Sequence, residues 1–211
     1  MTLQGYQLAC TRGDRQLFSD INLEIQAGEA LCLTGANGSG KTSLLRLLCG
    51  LAIPHVGEVC WNGRDIRTSR EEFQRDLIYC GHASGVKDDL RAWENVAIGS
   101  RLAGNWCTKE EAYRALDQVG LGNVADLPAG ALSQGQRKRV ALTRLCLQPL
   151  PKLLILDEPS TALDQYAIHL LCEILDRHLA LGGIAVYTTH QKLALKPRRL
   201  HLLDLNQAAP C

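Results

Sequence analysis

One stretch of the chain, LCLTGANGSGKTSLLRLL at residues 31–48, constrains the fold more than any other. It matches the phosphate-loop pattern G-x-x-x-x-G-K-[ST], with an apolar run typical of a buried strand before it and an amphipathic run typical of a helix after it. Gly35, Gly38 and Gly40 let the backbone curl, so that successive N–H groups and the start of the helix point at one anion. The stretch predicts a strand, a polyphosphate-binding loop and a helix.

Two side chains of the loop have the chemistry that a nucleotide needs. We expect Lys41 to reach the β- and γ-phosphates of ATP, and Thr42 to offer its hydroxyl to Mg²⁺. The alternative is a glycine-rich turn before an ordinary helix, which would not require the Lys-Thr pair. The residues predicted to bind the nucleotide are Gly35, Ala36, Asn37, Gly38, Ser39, Gly40, Lys41, Thr42 and Ser43.

A second apolar strand, in KLLILDE at 152–158, ends in two acids. Ligands of open α/β sheets bind at the carboxyl ends of strands, so Asp157 is a candidate to hold Mg²⁺ and Glu158 a candidate to polarise the attacking water. His190 ends a further apolar strand, AVYTTH, and is predicted to hydrogen-bond the γ-phosphate. The alternative is a structural role: acids at the end of a buried strand are sometimes structural, and a lone histidine more often is. The phosphate loop favours a functional role for the two acids, and the position at the strand end favours one for His190.

The periodicity changes from strand to helix in the middle of the chain. Segments 91–103, 108–121 and 135–147 have helical spacing of apolar residues, and strand-like runs return after them. We therefore expect a single α/β domain over 1–211, with a helical insertion at about 86–147.

Composition excludes several classes of protein. The chain has 23 basic and 22 acidic residues, a balance that argues against a nucleic-acid partner. It has no apolar run long enough to span a bilayer and no apolar signal core at its start, so we expect it to stay in the cytosol. Its nine cysteines include no C-x-x-C pair. We interpret them as buried reduced thiols, with metal binding or disulfides as the alternative.

A second feature suited to an anion lies at 132–140, LSQGQRKRV, where a turn opens a basic helix. In this setting the chain resembles the nucleotide-binding subunits of ATP-binding cassette (ABC) transporters over essentially its whole length. GANGSGKT is similar to Walker A, LLILDE to Walker B, STALD to the D-loop, LSQGQ to the LSGGQ signature, and His190 to the switch histidine.

The resemblance implies a fold and an assembly. The fold would be a RecA-like phosphate-loop core with an antiparallel β subdomain and an inserted helical subdomain. Two cassettes would pair head to tail as a homodimer sharing two ATP molecules, with Ser133, Gly135 and Gln136 of one copy facing the ATP on the phosphate loop of the other. Glu158, His190 and Lys41 would be the catalytic residues, and Thr42 and Asp157 the metal ligands.

The chain departs from the family pattern at three positions. Gln134 replaces the usual first glycine of the signature. His82 stands where the family usually has a glutamine that touches Mg²⁺, which makes His82 a possible metal ligand and a possible pH-sensitive element. Where the family has an adenine-stacking aromatic, the chain offers Thr11 and Arg12, and Arg12 could stack through its guanidinium plane. We assign Tyr6 and Phe18 to strand packing.

The stretch from Tyr79 to Asn95, with TTHQ at 188–191, resembles one subgroup in particular. That subgroup comprises the ATP-binding subunits of bacterial cytochrome c maturation systems, described as haem exporters. The resemblance implies ATP hydrolysis coupled to haem export or haem-chaperone release, with integral membrane subunits on the cytoplasmic side of the inner membrane. Exposed apolar residues at 82–95, including Val86, Leu90 and Trp93, would face the membrane partner. For Trp93 a place in the core of the helical subdomain is an equal alternative. The alternatives are a cassette for another small-molecule exporter, a soluble ABC ATPase, and a non-ABC kinase or GTPase.

Overall fold

The structure is a computed structural model and describes residues 1–206. Its strands and helices, in chain order, are β1 (Thr2–Arg12), β2 (Arg15–Gln26), β3 (Glu29–Thr34), α1 (Lys41–Leu48), β4 (Val56–Trp61), β5 (Arg64–Asp65), α2 (Arg70–Arg75), β6 (Leu77–Cys80), α3 (Ala92–Leu102), α4 (Lys109–Gln118), α5 (Gln134–Leu142), β7 (Leu153–Leu156), α6 (Gln165–Ala180), β8 (Ile184–Thr188) and β9 (Arg199–Asp204). The α/β prediction is confirmed. The chain divides into two compact units, and Cys80–Leu150 with Pro159–Leu175 forms the second.

The first unit contains a five-stranded sheet in the order β6-β7-β8-β3-β9. Strand β8 pairs in parallel with β7 on one side and with β3 on the other. The side chains of β7 and β8 are all buried, which explains why both read as unbroken apolar runs. The parallel register brings the carboxyl ends of β3, β7 and β8 to the same edge, where the phosphate loop and the acids follow.

The same unit contains an antiparallel sheet in the order β2-β1-β4-β5. Its hairpin pairs Arg12 with Arg15 across a tight turn, and the apolar faces of both sheets contribute to one core with α1. Phe18 belongs to this core and is fully buried, as expected. The expectation that Tyr6 packs in the same way is wrong, because its side chain is 44% exposed on the strand.

The second unit is mainly helical and has its own apolar core, formed by residues of α3, α4, α5 and the segments between them. Thr108 caps α4, since its hydroxyl accepts the N–H of Glu111 and the Glu111 carboxylate accepts the N–H of Thr108. The helix predicted over 135–147 is shorter in the structure. It ends at Leu142, and Thr143–Cys146 continues as a tighter 3₁₀ turn.

The residues expected to be exposed for a membrane partner are half-buried instead. Val86 and Trp93 pack against the core of the second unit, and Leu90 is also only partly accessible. Leu90 and Trp93 do line an open groove of about 470 Å³, named here the α3 groove, together with Ile98, Arg101, Trp106 and Lys109 among other residues. Trp106 is its most exposed apolar side chain, at 74%.

The eight cysteines within residues 1–206 are reduced thiols, and five of them are buried. Burial raises the pKa of Cys49 to about 11, so this thiol stays protonated at neutral pH. The interpretation as buried reduced thiols is confirmed for these five, while Cys10, Cys80 and Cys146 are partly buried. Cys211 lies outside the described residues. Among residues 1–206, no helix combines the length and apolar character needed to cross a membrane.

Candidate functional site

The phosphate loop connects β3 to α1 and contains the residues predicted for it. The Lys41 side chain is only 8% exposed, and its Nζ donates to the carbonyl oxygens of Gly35 at 2.8 Å and Ala36 at 3.0 Å. The Ser39 hydroxyl is buried without a hydrogen-bond partner among the described residues. Helix α1 begins with no side-chain cap and no acid in its first turn, so its N–H groups suit an anionic ligand.

Two residues from outside the loop, Phe18 and Asn206, shape it. Gly40 has φ +103°, and a Cβ atom there would lie 2.9 Å from the Phe18 ring, so the position requires glycine. The Asn206 side-chain oxygen accepts the N–H of Ala36 at 2.9 Å. No local pattern could reveal that contact, because the two residues are 170 positions apart.

Asp157 follows β7, and its carboxylate accepts hydrogen bonds from two hydroxyl groups of the first unit. Its side chain is 2% exposed, and its Oδ2 accepts the Thr42 hydroxyl at 2.8 Å. Its Oδ1 accepts the hydroxyl of Thr188, the last residue of β8, also at 2.8 Å. The two residues predicted to hold a metal are therefore in direct contact, and both offer the hard oxygen atoms that Mg²⁺ prefers.

Glu158 and His190 are also brought together. The His190 Nε2 lies 2.9 Å from the Glu158 Oε1, and the Glu158 carboxylate is the more buried of the two side chains. The Glu158 backbone has φ +49°, an uncommon conformation for a residue other than glycine. Its N–H donates to the Thr188 hydroxyl at 2.8 Å. In this arrangement the backbone fixes the position of the Glu158 carboxylate, and the His190 ring can hold the orientation of that carboxylate.

The signature-like residues form the start of α5 in the second unit. Ser133 is the N-cap: its hydroxyl accepts the N–H of Gln136 at 3.2 Å, and the Gln136 side chain accepts the N–H of Ser133 at 2.9 Å. No acid lies in the first turn, and Arg137, Lys138 and Arg139 follow. This helix start therefore combines oriented N–H groups with positive charge, as an anion site needs.

Gly135 lies against the chain that follows Walker B. A Cβ atom on Gly135 would be 2.7 Å from the carbonyl oxygen of Ala162, a residue that itself has φ +64°. We expect Gly135→Ala to displace that carbonyl and to lower ATP turnover at saturating ATP, as measured by phosphate release. Gly99→Ala is the matched control, because Gly99 lies within α3 and a Cβ there meets nothing within 4 Å.

The control should stabilise the chain, since alanine is favoured over an interior helical glycine by about 1 kcal/mol. Equal turnover in the Gly135→Ala and Gly99→Ala proteins would contradict a requirement for close packing at Gly135.

His82 is exposed and lines a cavity of about 220 Å³ in the second unit, with Gln134, Arg137 and Lys138 among its other residues. Two cationic neighbours disfavour a metal ion at this histidine. Within residues 1–206, no cluster of three or more His, Cys, Asp or Glu side chains is arranged to hold a metal. Arg12 is exposed at the end of β1, as an adenine-stacking role would require.

These features define a phosphate-loop ATPase of the ABC type, and comparison with known proteins agrees. The ABC transporter family model matches residues 18–161, and the chain belongs to that family. It binds ATP as an ABC ATPase domain and is an ATPase.

Two of its relatives within the ABC family carry the same name. The chain is 48% identical over 204 residues to the cytochrome c biogenesis ATP-binding export protein CcmA of Nitrosomonas europaea, covering 97% of this chain and 95% of that protein. It is also 48% identical over 194 residues to the protein of the same name from Pseudomonas aeruginosa, covering 92% of this chain and 95% of that one.

Solved structures show the same fold. An ABC transporter ATP-binding protein from Pyrococcus furiosus aligns with a TM-score of 0.84 at 23% identity, covering 100% of both chains. A post-hydrolysis dimer of an ATP-binding cassette bound to ADP and Pi aligns with a TM-score of 0.77 at 23% identity, covering 90% of this chain and 88% of that one.

Proposed function

We propose that this protein is the ATP-hydrolysing subunit of a membrane ABC complex for cytochrome c biogenesis, and that hydrolysis drives haem export or the release of a haem-loaded chaperone. The observation that carries the proposal is the joint arrangement of Lys41, Thr42, Asp157, Glu158 and His190 at one edge of the parallel sheet. Similarity over nearly the full length to export proteins named for cytochrome c biogenesis supports the assignment to that process. The whole chain 1–211 would act as a single ABC ATPase domain.

In this proposal the phosphates of ATP contact the loop from Gly35 to Ser43. The Lys41 ammonium already lies inside the loop, where it would donate to the β- and γ-phosphates in place of the two carbonyl oxygens. The Ser39 hydroxyl, buried without a partner among the described residues, would donate to a phosphate oxygen. The first-turn N–H groups of α1 would add the field of the helix terminus.

Mg²⁺ is the metal that the residues fit. Thr42 and Asp157 supply oxygen atoms 2.8 Å apart, and Mg²⁺ in ATPases is commonly held by one or two carboxylates with substrate phosphates and water. Bound there, the ion would neutralise charge on the β- and γ-phosphates. His82, with its soft nitrogen and cationic neighbours, is the weaker candidate ligand.

Glu158 would act on the attacking water. Its carboxylate can accept a proton from a water molecule directed at the γ-phosphate, while the hydrogen bond with His190 holds its Oε1 in place. His190 would also contact the γ-phosphate. In this role the histidine links the position of the base to the presence of the phosphate that is cleaved.

We further propose that the active form is a homodimer of cassettes sharing two ATP molecules. Ser133, Gly135 and Gln136 of one copy would contact the γ-phosphate held by Lys41 of the other. The capped α5 terminus presents its N–H groups for this purpose without an opposing acid. Loss of the γ-phosphate would remove the shared anion and allow the copies to separate.

The integral membrane subunits of the cytochrome c maturation complex would hold the chain on the cytoplasmic face of the bacterial inner membrane, as a peripheral protein. The α3 groove is the surface that we assign to this contact, because it combines accessible indole and aliphatic groups with Arg101 and Lys109. No nucleic-acid partner is proposed.

A pull-down from solubilised inner membrane tests the proposal. The tagged chain is expected to recover integral subunits of the cytochrome assembly system, together with ATPase activity in the recovered complex. A Trp106→Ala variant, altered only in the α3 groove, should recover less of them, and Tyr166→Ala, at an exposed aromatic on α6, serves as the control. Recovery of another exporter's membrane subunits, or of ribosomes, would contradict the assignment.

A further inference from the structure

Thr188 is a fully buried polar residue, and no role for its side chain follows from the sequence. It ends β8, the strand that lies between β7 and β3 in the parallel sheet, and its side chain is 0% exposed. On one side, Tyr187 of β8 pairs with Leu156 of β7, and Leu156 is the residue directly before Asp157. On the other side Thr188 pairs with Leu33, two residues before the phosphate loop. Thr188 therefore lies between the two segments that carry the proposed chemistry.

The Thr188 hydroxyl makes one hydrogen bond as a donor and one as an acceptor. It donates to the Oδ1 of Asp157 and accepts from the N–H of Glu158, both at 2.8 Å. A hydroxyl has a single proton, so the bond to Asp157 uses it completely. Valine, which has nearly the same shape, would leave a buried carboxylate oxygen and a partly buried N–H without this partner.

Each bond fixes a different degree of freedom. The bond to Oδ1 sets the rotation of the Asp157 carboxylate, so that Oδ2 is the oxygen that faces the Thr42 hydroxyl. The bond from the Glu158 N–H holds a backbone with φ +49°, a conformation that costs energy for a residue with a Cβ. That backbone in turn determines where the Glu158 side chain meets His190.

We propose that Thr188 is a positioning residue for ATP hydrolysis: through one hydroxyl it orients the carboxylate of Asp157 for the metal and the backbone of Glu158 for the attacking water. The inference rests on the proposed roles of Asp157 and Glu158. In this role the last residue of β8 would couple the position of the metal ligand, Asp157, to the position of the base, Glu158. Thr188 would act through Asp157 and Glu158 and would not itself contact the nucleotide or the water.

The test compares Thr188→Val with Thr188→Ser in the complex recovered from membranes. Thr188→Val is expected to lower kcat on the order of 10²-fold, the loss typical of a small misplacement of reacting groups. It should also raise the half-saturating Mg²⁺ concentration by about 10–100-fold, as changes to residues that orient metal ligands do. Thr188→Ser keeps the hydroxyl and should recover most of both losses.

Two further measurements separate positioning from general damage. ATP binding to the purified chain in EDTA should be unchanged in Thr188→Val, because the phosphate loop does not depend on the Thr188 hydroxyl. Thr143→Val is the matched control: Thr143 is also 0% exposed and donates to the Arg139 carbonyl at 2.8 Å, so it loses a comparable bond. The midpoint temperature of its thermal unfolding should fall by a comparable amount, whereas its turnover and Mg²⁺ dependence should be retained.

The inference is overturned if Thr188→Val keeps wild-type turnover and Mg²⁺ dependence, or if valine and serine are equally impaired. It is also overturned if Thr143→Val matches Thr188→Val in every measurement. A wild-type complex without Mg²⁺-dependent hydrolysis, or one insensitive to Glu158→Gln, would instead remove the proposed function and this inference with it.

Discussion

Replacing Glu158 with glutamine is expected to lower ATP turnover by a factor on the order of 10²–10⁴, the contribution typical of a general base. The amide keeps the size of the side chain and can still contact His190, but it cannot accept a proton from water. Because ATP would then bind without being cleaved, the proposed dimer should accumulate. Light scattering of the variant with saturating ATP and Mg²⁺ should report twice the mass of the chain.

The chain offers a matched control for this change. Glu173 pairs with His169 across one turn of α6, with 3.4 Å between the Nε2 and Oε1 atoms, and both side chains are exposed. Glu173→Gln removes the same charge from a Glu–His pair and should leave turnover and mass unchanged, since exposed pairs contribute little. Only monomer in the Glu158→Gln protein at saturating ATP and Mg²⁺ would argue strongly against the shared-nucleotide dimer.

The second large effect is expected at Lys41. Lys41→Ala removes a nearly buried ammonium, so the proposed charge-assisted bonds to the β- and γ-phosphates are lost, and the Gly35 and Ala36 carbonyls lose their donor. We expect kcat to fall about 10²–10³-fold, as when one preorganised donor is removed from a transition state. ATP affinity should also weaken. Phosphate release and equilibrium binding of ATP measure the two effects separately.

Lys152→Ala is the comparison for Lys41→Ala. Lys152 is exposed and pairs with Asp76 at 3.2 Å, a type of ion pair worth roughly 0–1 kcal/mol. Asp76 keeps the Trp61 indole N–H as a donor, so little is left unsatisfied. Unchanged turnover in Lys41→Ala, with Lys152→Ala also unchanged, would overturn the assignment of residues 35–43 as the phosphate loop.

The fold was predictable from sequence because its strongest signals are local. Buried parallel strands read as continuous apolar runs, and the Lys41-Thr42 pair follows its glycines directly in the chain. Helix α2 was missed, since six residues with a single buried side chain, Phe73, give almost no periodic signal. The predicted helix over 135–147 was too long, because the Thr143 hydroxyl bonds the Arg139 carbonyl and the chain tightens there.

The site was only partly predictable, and the missing parts share a cause. Residue types and strand ends indicated Asp157, Glu158 and His190, but their contacts depend on sheet register. Thr188 reads as one more residue of an apolar strand until β7 is aligned beside it. The exposure of single side chains was also hard to predict. The sequence context of Trp93 fits either a surface or a core position. In the structure Trp93 packs against the core of the second unit and also lines the α3 groove.

The contact between Asn206 and Ala36 has a consequence for how the phosphate loop takes shape. Strand β9 pairs with β3 along its whole length, and the N–H of Leu205 bonds the Thr34 carbonyl just before the loop. Support for the loop therefore comes from a strand that is remote from it in sequence, since Asn206 and Ala36 are 170 positions apart. We infer that the loop reaches its final conformation only after β9 has joined the sheet beside β3.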